Sequence, residues 1–267
     1  MRSRFITLLY HDVIDGSDID ASGFSGPGPA AYKLSAIDFH KHLDAIASSA
    51  QKFRREMFCG NRFGVMNPTP ILLTFDDGGS SAHTIVAPML EARGWRAYFF
   101  ITTRMIGKPG FMNAEQIQDL TSRGHIIGSH SASHPKRISQ CSDSELATEW
   151  DESIESLSEL LDRRIDIASI PGGFYSRRVA AAAGKSGIRI LFTSEPMQST
   201  TRVKNVTLIG RFSVKRGDPP ELPAKIVAGQ ISQRLWQYAH WNTKKLAKNV
   251  AGPIYLSVRN RYLSRKS

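Results

Sequence analysis

Short apolar runs alternate along the chain with longer segments in which apolar side chains recur at helical spacing. The short runs are rich in β-branched and aromatic residues and predict strands. They lie at residues 5–10, 71–75, 97–102, 125–129, 165–170, 188–192 and 207–214. The longer segments predict helices at residues 36–49, 82–93, 114–123, 144–161, 177–186 and 221–238. Because strands and helices alternate, we expect parallel βαβ units and an α/β fold.

The periodic pattern predicts a single domain over residues 1–218, followed by a basic helical extension over residues 219–267 that packs on the domain or is appended to it. In that extension Trp236, Tyr238 and Trp241 precede scattered lysines and arginines. This pattern is typical of a solvated helix, and the alternative is an interfacial helix that rests on acidic lipid. Residues 15–29, rich in Gly, Ser, Asp and Pro, are too long for a simple connector and predict a functional or mobile loop.

The composition mainly excludes certain classes of protein. The 267 residues are 41% hydrophobic and 22% charged, as in an ordinary globular protein. No apolar run reaches the length of a membrane span, and the run that begins at Phe5 is too short for the core of a signal peptide. We therefore expect a cytoplasmic protein. Cys59 and Cys141 lack metal-site spacing and predict ordinary thiols in a reducing compartment.

The charge balance favours anionic partners. Lysine and arginine number 35 against 24 aspartates and glutamates, which gives a formal charge of +11. Acidic lipid, phosphorylated sugars and acidic sugars are candidate partners, including peripheral contact with an acidic membrane at its inner face. The alternative is a basic surface that only aids solubility. No recognised nucleic-acid-binding motif is present, so we do not expect nucleic acid as a partner.

Polar residues follow the predicted strands repeatedly at the same end. They are Tyr10-His11-Asp12, Asp76-Asp77, His130, Pro171-Gly172-Gly173 and Glu195. The carboxyl ends of parallel strands converge on one face of an α/β barrel, and that face carries the active site. We therefore expect these side chains to surround one cleft.

Two of these motifs together indicate a metal site. Asp76 and Asp77 are adjacent at a strand end, so their side chains point in different directions. His130 and His134 are four residues apart, a spacing that places two imidazoles on one face of a helical turn. Two imidazoles and one carboxylate suit zinc, with cobalt or nickel as alternatives. Taken separately, the acids could be turn residues and the histidines surface residues, but their joint presence favours a metal.

At this point the sequence resembles a known family. The run Thr-Phe-Asp-Asp-Gly at residues 74–78, followed by His-Ser-x-x-His-Pro at residues 130–135, is similar to the polysaccharide deacetylases. This family is also called the NodB-homology family or carbohydrate esterase family 4. The run Tyr-His-x-Val at residues 10–13 resembles the opening segment of one branch. The resemblance extends over about residues 5–214 and implies a distorted (β/α)7 barrel, in agreement with the strands counted above.

The resemblance also implies roles for individual residues. Asp76 would be the general base, and Asp77, His130 and His134 would hold the metal. The run Pro171-Gly172-Gly173 corresponds to a groove motif of the family and would contact the substrate.

The chain departs from the family pattern at two positions. Ser169 stands where the family has an arginine that pairs with the catalytic carboxylate, so the tuning of Asp76 must come from elsewhere. Arg211 stands in the last strand, where the family keeps a catalytic histidine, and arginine is a poor proton donor. We expect His11 to be the substitute acid, since imidazole titrates near neutral pH; the alternative is that His11 binds substrate or orients Asp12. Glu195 is a weaker candidate for the acid.

The expected function is therefore metal-dependent removal of an N-acetyl group from a carbohydrate, with Tyr10, Arg211 and Glu195 also contacting the substrate. A nucleotide-linked, lipid-linked or oligosaccharide precursor of a surface polysaccharide or O-antigen fits a cytoplasmic, basic protein. Three alternatives stay open: an amidohydrolase such as a deformylase, a catalytically impaired glycan-binding protein that keeps the metal site, and a membrane-surface scaffold.

Overall fold

The computed structural model describes residues 3–60 and 63–230. The strands are β1 (Ile6–Tyr10), β2 (Val13–Ile14), β3 (Leu34–Ser35), β4 (Ile71–Phe75), β5 (Tyr98–Ile101), β6 (Ile126–Ser129), β7 (Ile167–Ser169), β8 (Ile190–Phe192), β9 (Thr201–Val203), β10 (Val206–Ile209) and β11 (Phe212–Ser213). The α-helices are α1 (Pro27–Ala30), α2 (Ala36–Lys52), α3 (Ala87–Glu91), α4 (Ala114–Ser122), α5 (Asp143–Leu161), α6 (Arg177–Lys185) and α7 (Glu221–Ala228). None of the helices in these ranges is long and apolar enough to cross a bilayer.

One curled sheet contains most of the strands, in the order β11-β1-β4-β5-β6-β7-β8-β10-β9. Its neighbouring strands run parallel, except for the antiparallel pair β10 and β9. An antiparallel bridge between Arg4 and Ser199 joins the start of β1 to the segment before β9, so the two ends of the sheet approach each other. The predicted α/β fold of barrel type is confirmed.

The central strands read as continuous apolar runs because both of their faces are buried. All five residues of β1 and all five of β4 are buried. Alternate residues enter two layers: Leu72 and Phe100 pack in the barrel interior, whereas Leu73 and Phe99 pack under the outer helices. The sheet is therefore the rigid base on which the strand ends are fixed.

Two helix starts follow from local side chains. Asn113 caps α4 and forms a capping box with Gln116, and Ser142 forms the same arrangement with Glu145 at the start of α5. Each box satisfies two backbone N–H groups that the first turn leaves without partners. Helix α5 also contacts the segment that carries the two histidines.

Several predicted elements differ from the structure. The run predicted as one strand over residues 207–214 is two strands, β10 beside β8 and β11 beside β1. The predicted helix over residues 82–93 begins as one π-helical segment, Ala82–Val86, before α3. The helix predicted over residues 221–238 ends at Ala228, where Gly229 adopts a left-handed conformation. Residues 231–267, most of the predicted basic extension, lie outside the described residues.

Close packing between β6 and its neighbours predicts the effect of Gly128→Ala. A Cβ atom at this position would lie 2.7 Å from the backbone oxygen of Ile167 and 2.7 Å from a ring carbon of Phe100. We expect a loss of about 1–3 kcal/mol of unfolding free energy, the usual cost of overpacking. Urea unfolding measures it. Gly28→Ala is the control, because a Cβ there meets nothing within 4 Å; equal stability of the two variants would contradict the prediction.

Candidate active site

The side chains predicted from the strand ends meet at the carboxyl end of the sheet. Asp76 and Asp77 follow β4, His130 follows β6, and Ser169 is the last residue of β7. The backbone N–H of Asp76 donates to the carbonyl of Tyr10 at 3.1 Å, and that of His130 donates to the carbonyl of Ile101 at 2.8 Å. The ladder of the sheet thus extends into the site and fixes the first residue after each strand.

Asp77, His130 and His134 form a group whose potential ligand atoms all lie within 4.8 Å of one another. Oδ1 of Asp77 lies 3.3 Å from Nε2 of His130 and 3.5 Å from Nε2 of His134. This buried oxygen makes no hydrogen bond of ordinary geometry within the described part of the chain. A buried carboxylate oxygen without a donor is costly, and a cation would satisfy it. The donor set of two imidazoles and one carboxylate therefore fits a divalent metal such as zinc.

The backbone around this group is held in unusual conformations. Asp77 has φ 78°, Ser131 has φ 64° and His134 has φ 56°, all in the left-handed region. Residues other than glycine rarely adopt it, and each instance costs of the order of 1–3 kcal/mol. Two of the three potential ligands are thus presented by strained backbone, which the surrounding contacts must stabilise.

Ser169 fixes the tautomer of His130. Nδ1 of His130 lies 2.6 Å from Oγ of Ser169 and 3.2 Å from its backbone oxygen. A carbonyl oxygen can only accept, so Nδ1 carries the hydrogen and Nε2 is left with a lone pair directed at Asp77. Oγ of Ser169 in turn donates to Oδ1 of Asp76 at 3.1 Å. Ser169 therefore connects the potential ligand His130 to the neighbouring carboxylate.

Arg211 is the partner of Asp76. Its Nη1 and Nη2 lie 2.7 and 2.8 Å from Oδ1 and Oδ2 of that carboxylate, and its Nε donates to the carbonyl of Thr193 at 3.1 Å. The guanidinium is fully buried. In this placement the guanidinium is bound to Asp76 and Thr193, and the substrate contact expected for Arg211 stays a prediction. Arg211 also lowers the pKa of Asp76, as the arginine expected at the position of Ser169 would do.

The electrostatic surroundings of the two acids differ. Burial alone would raise the pKa of Asp76, but the charge and hydrogen bonds of Arg211 hold that pKa below its ordinary value. Burial opposes ionisation of Asp77 as well, and the imidazoles of His130, His11 and His134 lower the pKa of that carboxyl. Burial lowers the pKa of His134 despite the opposing charge of Asp77. Two carboxylates and a neutral His134 at pH 7 are the forms that a metal site requires.

His11 lies beside both acids. It is half-buried, its charge lowers the pKa of Asp76 and of Asp77, and its ring centroid lies 4.7 Å from that of Tyr32. Its Nδ1 is buried and has no hydrogen-bond partner among the described residues. The predicted role of His11 as the acid stays a prediction.

Tyr10 lies on the other side of its strand. Its ring is fully buried and packs 5.6 Å from Phe75 and 5.5 Å from Phe39 of α2, with its hydroxyl 3.5 Å from Nδ1 of His42. The ring thus packs under the helix layer, and the substrate-binding role expected for Tyr10 stays a prediction.

The remaining predicted contacts follow β7 and β8. Pro171 is buried, whereas Gly172 is exposed, and both Gly172 and Gly173 have positive φ, 60° and 67°. Glu195 is half-buried, and its backbone oxygen accepts from the N–H of Arg211 at 2.9 Å. Their roles in binding substrate stay predictions.

The loop at residues 15–29 contributes a residue that the motifs did not indicate. The ring of Phe24 lies 5.0 Å from that of His134 and 5.0 Å from that of Phe111. The loop is fixed by Asp12, whose Oδ1 accepts from Oγ of Ser22 at 2.6 Å and from Oγ of Ser81 at 3.0 Å. Asp12 belongs to the motif after β1, but no sequence motif indicated that Phe24 would lie beside His134.

Comparison with known proteins agrees with this geometry. Residues 64–191 match the family described as polysaccharide deacetylase. This range includes both acids, both histidines and the segment after β7. The match spans a little under half of the chain, and it agrees with the resemblance that the sequence motifs carry.

Individual relatives are more distant. YxkH of Bacillus subtilis (strain 168), which carries the same family name, is 27% identical over 147 residues, or 55% of this chain and 52% of YxkH. The chain thus spans about half the length of the relatives that it matches in sequence. The polysaccharide deacetylase BC0361 of Bacillus cereus has a TM-score of 0.69 at 17% identity, covering 85% of this chain and 69% of that one. The deacetylase PplD of Streptococcus pyogenes has a TM-score of 0.67 at 16% identity, covering 83% and 96%. At this identity the structures establish the shared fold.

The ion pair predicts a pH-dependent cost for Arg211→Met. Without the guanidinium, Asp76 is a buried carboxylate with no cationic side chain bound to it, and we expect a loss of about 3–5 kcal/mol at pH 8. In the wild type the lowered pKa of Asp76 stabilises the fold above the unfolded pKa of about 3.9. In the variant burial raises that pKa, so the cost should shrink as the pH falls towards 5 and Asp76 takes up a proton.

Urea unfolding at several pH values measures this difference. Arg178→Met is the matched control, because Arg178 pairs with Asp143 at the surface and such pairs contribute little. A cost for Arg211→Met that is equal to the control, or that does not change with pH, would contradict the prediction.

Proposed function

We propose that this protein is a metal-dependent carbohydrate N-deacetylase. In this proposal Asp77, His130 and His134 hold a divalent metal, zinc or alternatively cobalt or nickel, and Asp76 is the general base. The observation that carries it is the buried Oδ1 of Asp77, which has no hydrogen-bond partner among the described residues and lies near the Nε2 atoms of two imidazoles. A second carboxylate, kept ionised, lies beside it. The match of residues 64–191 to the polysaccharide deacetylase family supports the same chemistry.

A divalent metal bound at this group would polarise the acetamide carbonyl and lower the pKa of a coordinated water. The protein side chains prepare the base for that water. Oδ1 of Asp76 already accepts from Arg211 and Ser169, whereas Oδ2 accepts from Arg211 alone among the described residues. Oδ2 also lies 3.9 Å from Nε2 of His130. We therefore assign Oδ2 as the atom that takes the proton, with Arg211 preventing the carboxylate from turning away.

Expulsion of the sugar amine requires a proton donor. His11 is the best candidate, because its ring lies close enough to both acids to lower their pKa values and its Nδ1 has no partner within the described part of the chain. Glu195 is a weaker candidate. Arg211 is committed to Asp76 and is not available for this step.

The Arg211 pair argues against a catalytically impaired glycan-binding protein. That alternative arose because Ser169 replaces the expected arginine. The guanidinium instead comes from the residue before β11 and binds both oxygens of Asp76. A protein that had lost catalysis would not require a buried, charged pair at this position, since apolar residues of similar volume are often at least as stable.

For the substrate we propose an N-acetylated sugar in a nucleotide-linked, lipid-linked or oligosaccharide form, used in assembling a surface polysaccharide or O-antigen. The support is the formal charge of +11, which favours acidic or pyrophosphate-linked substrates. Cytoplasmic location, with contact at the inner face of the membrane, belongs to the same proposal. All the residues assigned roles lie before residue 218, so we place catalysis in residues 1–218 and assign no catalytic role to residues 219–267.

Asp76→Asn tests the proposed base. The amide cannot take up the proton, so we expect acetate release to fall by at least about 100-fold. Release is measured from N-acetylglucosamine oligomers and a UDP-N-acetyl sugar, with metal-stripped protein and with added zinc or cobalt. Asp151→Asn, an exposed acid on α5, is the control. Metal-dependent release that survives Asp76→Asn would exclude Asp76 as the base.

His11→Gln tests the proposed acid. If His11 protonates the leaving amine, kcat should fall about 100-fold or more while KM and bound metal stay close to wild type. His40→Gln is the control, because His40 is an exposed histidine on α2. A rise in KM with unchanged kcat would assign His11 to substrate binding instead.

A further inference from the structure

The loop that presents His134 cannot hold its shape on its own. Ser131 and His134 both have positive φ, 64° and 56°, and such conformations persist only where surrounding structure enforces them. Within the loop one hydrogen bond, from the N–H of His134 to Oγ of Ser131 at 3.2 Å, closes the turn. Further support comes from the backbone N–H groups of Thr103 and Arg104, which donate to the carbonyls of Ser131 and Ala132, and from α5.

Glu149 of α5 makes three hydrogen bonds to this loop. Its Oε2 accepts from the N–H of Ser133 at 2.9 Å, and its Oε1 accepts from Oγ of Ser133 at 2.5 Å. Its backbone oxygen accepts from the N–H of Ala132 at 3.0 Å. One helix residue thus binds the two residues that directly precede His134.

Neighbouring residues on the same face of α5 fix the two flanks of the loop. Ser153 lies one turn further on, and its Oγ is 2.6 Å from Oγ of Ser129, which accepts from the N–H of Ser131 at 3.1 Å. Glu152 accepts two hydrogen bonds from Arg104, at 2.7 and 2.6 Å. The N–H of Arg104 donates to the carbonyl of Ala132 at 2.9 Å. Residues spaced by three and four positions share one helix face, so α5 holds the loop as a unit.

Glu149 is a buried carboxylate that is not placed as a metal ligand. It is 7% exposed, and burying a carboxylate costs free energy unless strong hydrogen bonds offset it. Among residues 3–60 and 63–230, the group of potential ligands contains Asp77, His130 and His134 but not Glu149. Both of its carboxylate oxygens are directed at Ser133 instead.

We infer that Glu149 is a positioning residue for the metal site: it holds Ser133, and through Ser133 it fixes the strained backbone that presents His134. The inference rests on the proposed function only in that the triad binds a metal. Because Glu149 acts on the position of a ligand and not on the substrate, its removal should change metal affinity before any chemistry is considered.

The test measures zinc affinity by competition with a chromophoric chelator, together with the visible spectrum of the cobalt-substituted protein. Glu149→Met keeps most of the volume and removes both carboxylate hydrogen bonds. We expect its zinc affinity to fall by about 10-fold or more, the usual effect of losing an outer contact of a metal site, and its cobalt bands to change. Glu149→Gln should stay near wild type, because the amide can accept from the N–H of Ser133 and donate to its Oγ.

Glu155→Met is the matched control, because it makes the same substitution at an exposed position on α5. Thermal unfolding of the metal-free proteins verifies that each variant is folded. If Glu149→Met does not fold, Ser133→Ala removes one of the same hydrogen bonds from the loop side and should weaken zinc binding in the same direction.

Equal zinc affinity for wild type and folded Glu149→Met, or for wild type and Ser133→Ala if Glu149→Met is unfolded, would overturn the inference and leave the proposed function standing. A wild-type protein that binds no zinc or cobalt would overturn the metal site, and with it both proposals. Acetate release is not needed to distinguish these outcomes.

Discussion

The buried pair of Arg211 and Asp76 is the interaction on which the arrangement of the site depends. Asp76 follows β4, Arg211 precedes β11, and the Nε of Arg211 binds the carbonyl of Thr193, just after β8. One guanidinium therefore joins strands from separate parts of the curled sheet. A charge removed from water must be matched closely, so the pair limits how the strand ends can move relative to one another. The contacts that join these strands are therefore the same contacts that position Asp76.

This pair also gives the two adjacent acids, Asp76 and Asp77, different surroundings. Asp76 and Asp77 are neighbours in the chain, yet one faces a guanidinium and the other faces imidazoles. Successive side chains at a strand end point in opposite directions. The left-handed backbone at Asp77 turns its side chain further from that of Asp76. Two groups with different surroundings can take different chemical roles. Ser169 links the two halves, since it contacts both Asp76 and His130.

The sequence predicted the strands and the paired motifs well because these depend on local pattern. Both faces of β1 are buried, however, so periodicity could not show that Tyr10 packs against the helices while His11 lies beside the two acids. The run over residues 207–214 has apolar residues on both sides of Gly210, and one glycine inside a strand pattern does not show by itself that the strand ends there. A Cβ on Gly210 would lie 2.3 Å from the backbone oxygen of Glu195, which is a tertiary constraint. Only strand pairing reveals that Arg211 stands between two strands and reaches Asp76.

The buried polar residues show where the fold departs from what stability alone would select. Glu149, Ser153, Ser169 and Asp12 are buried and hydrogen-bonded, and they lie around the strand ends and loops of the site. Apolar residues would fill the same volume without the cost of desolvation. Polar groups repay that cost where a particular geometry must be held, such as the positive φ of Asp77 and His134. The site therefore has two layers. The inner layer contains the residues that can bind a metal and react. The outer layer, on α5, β7 and the loop after β1, holds the inner residues in a backbone conformation that they would not adopt by themselves.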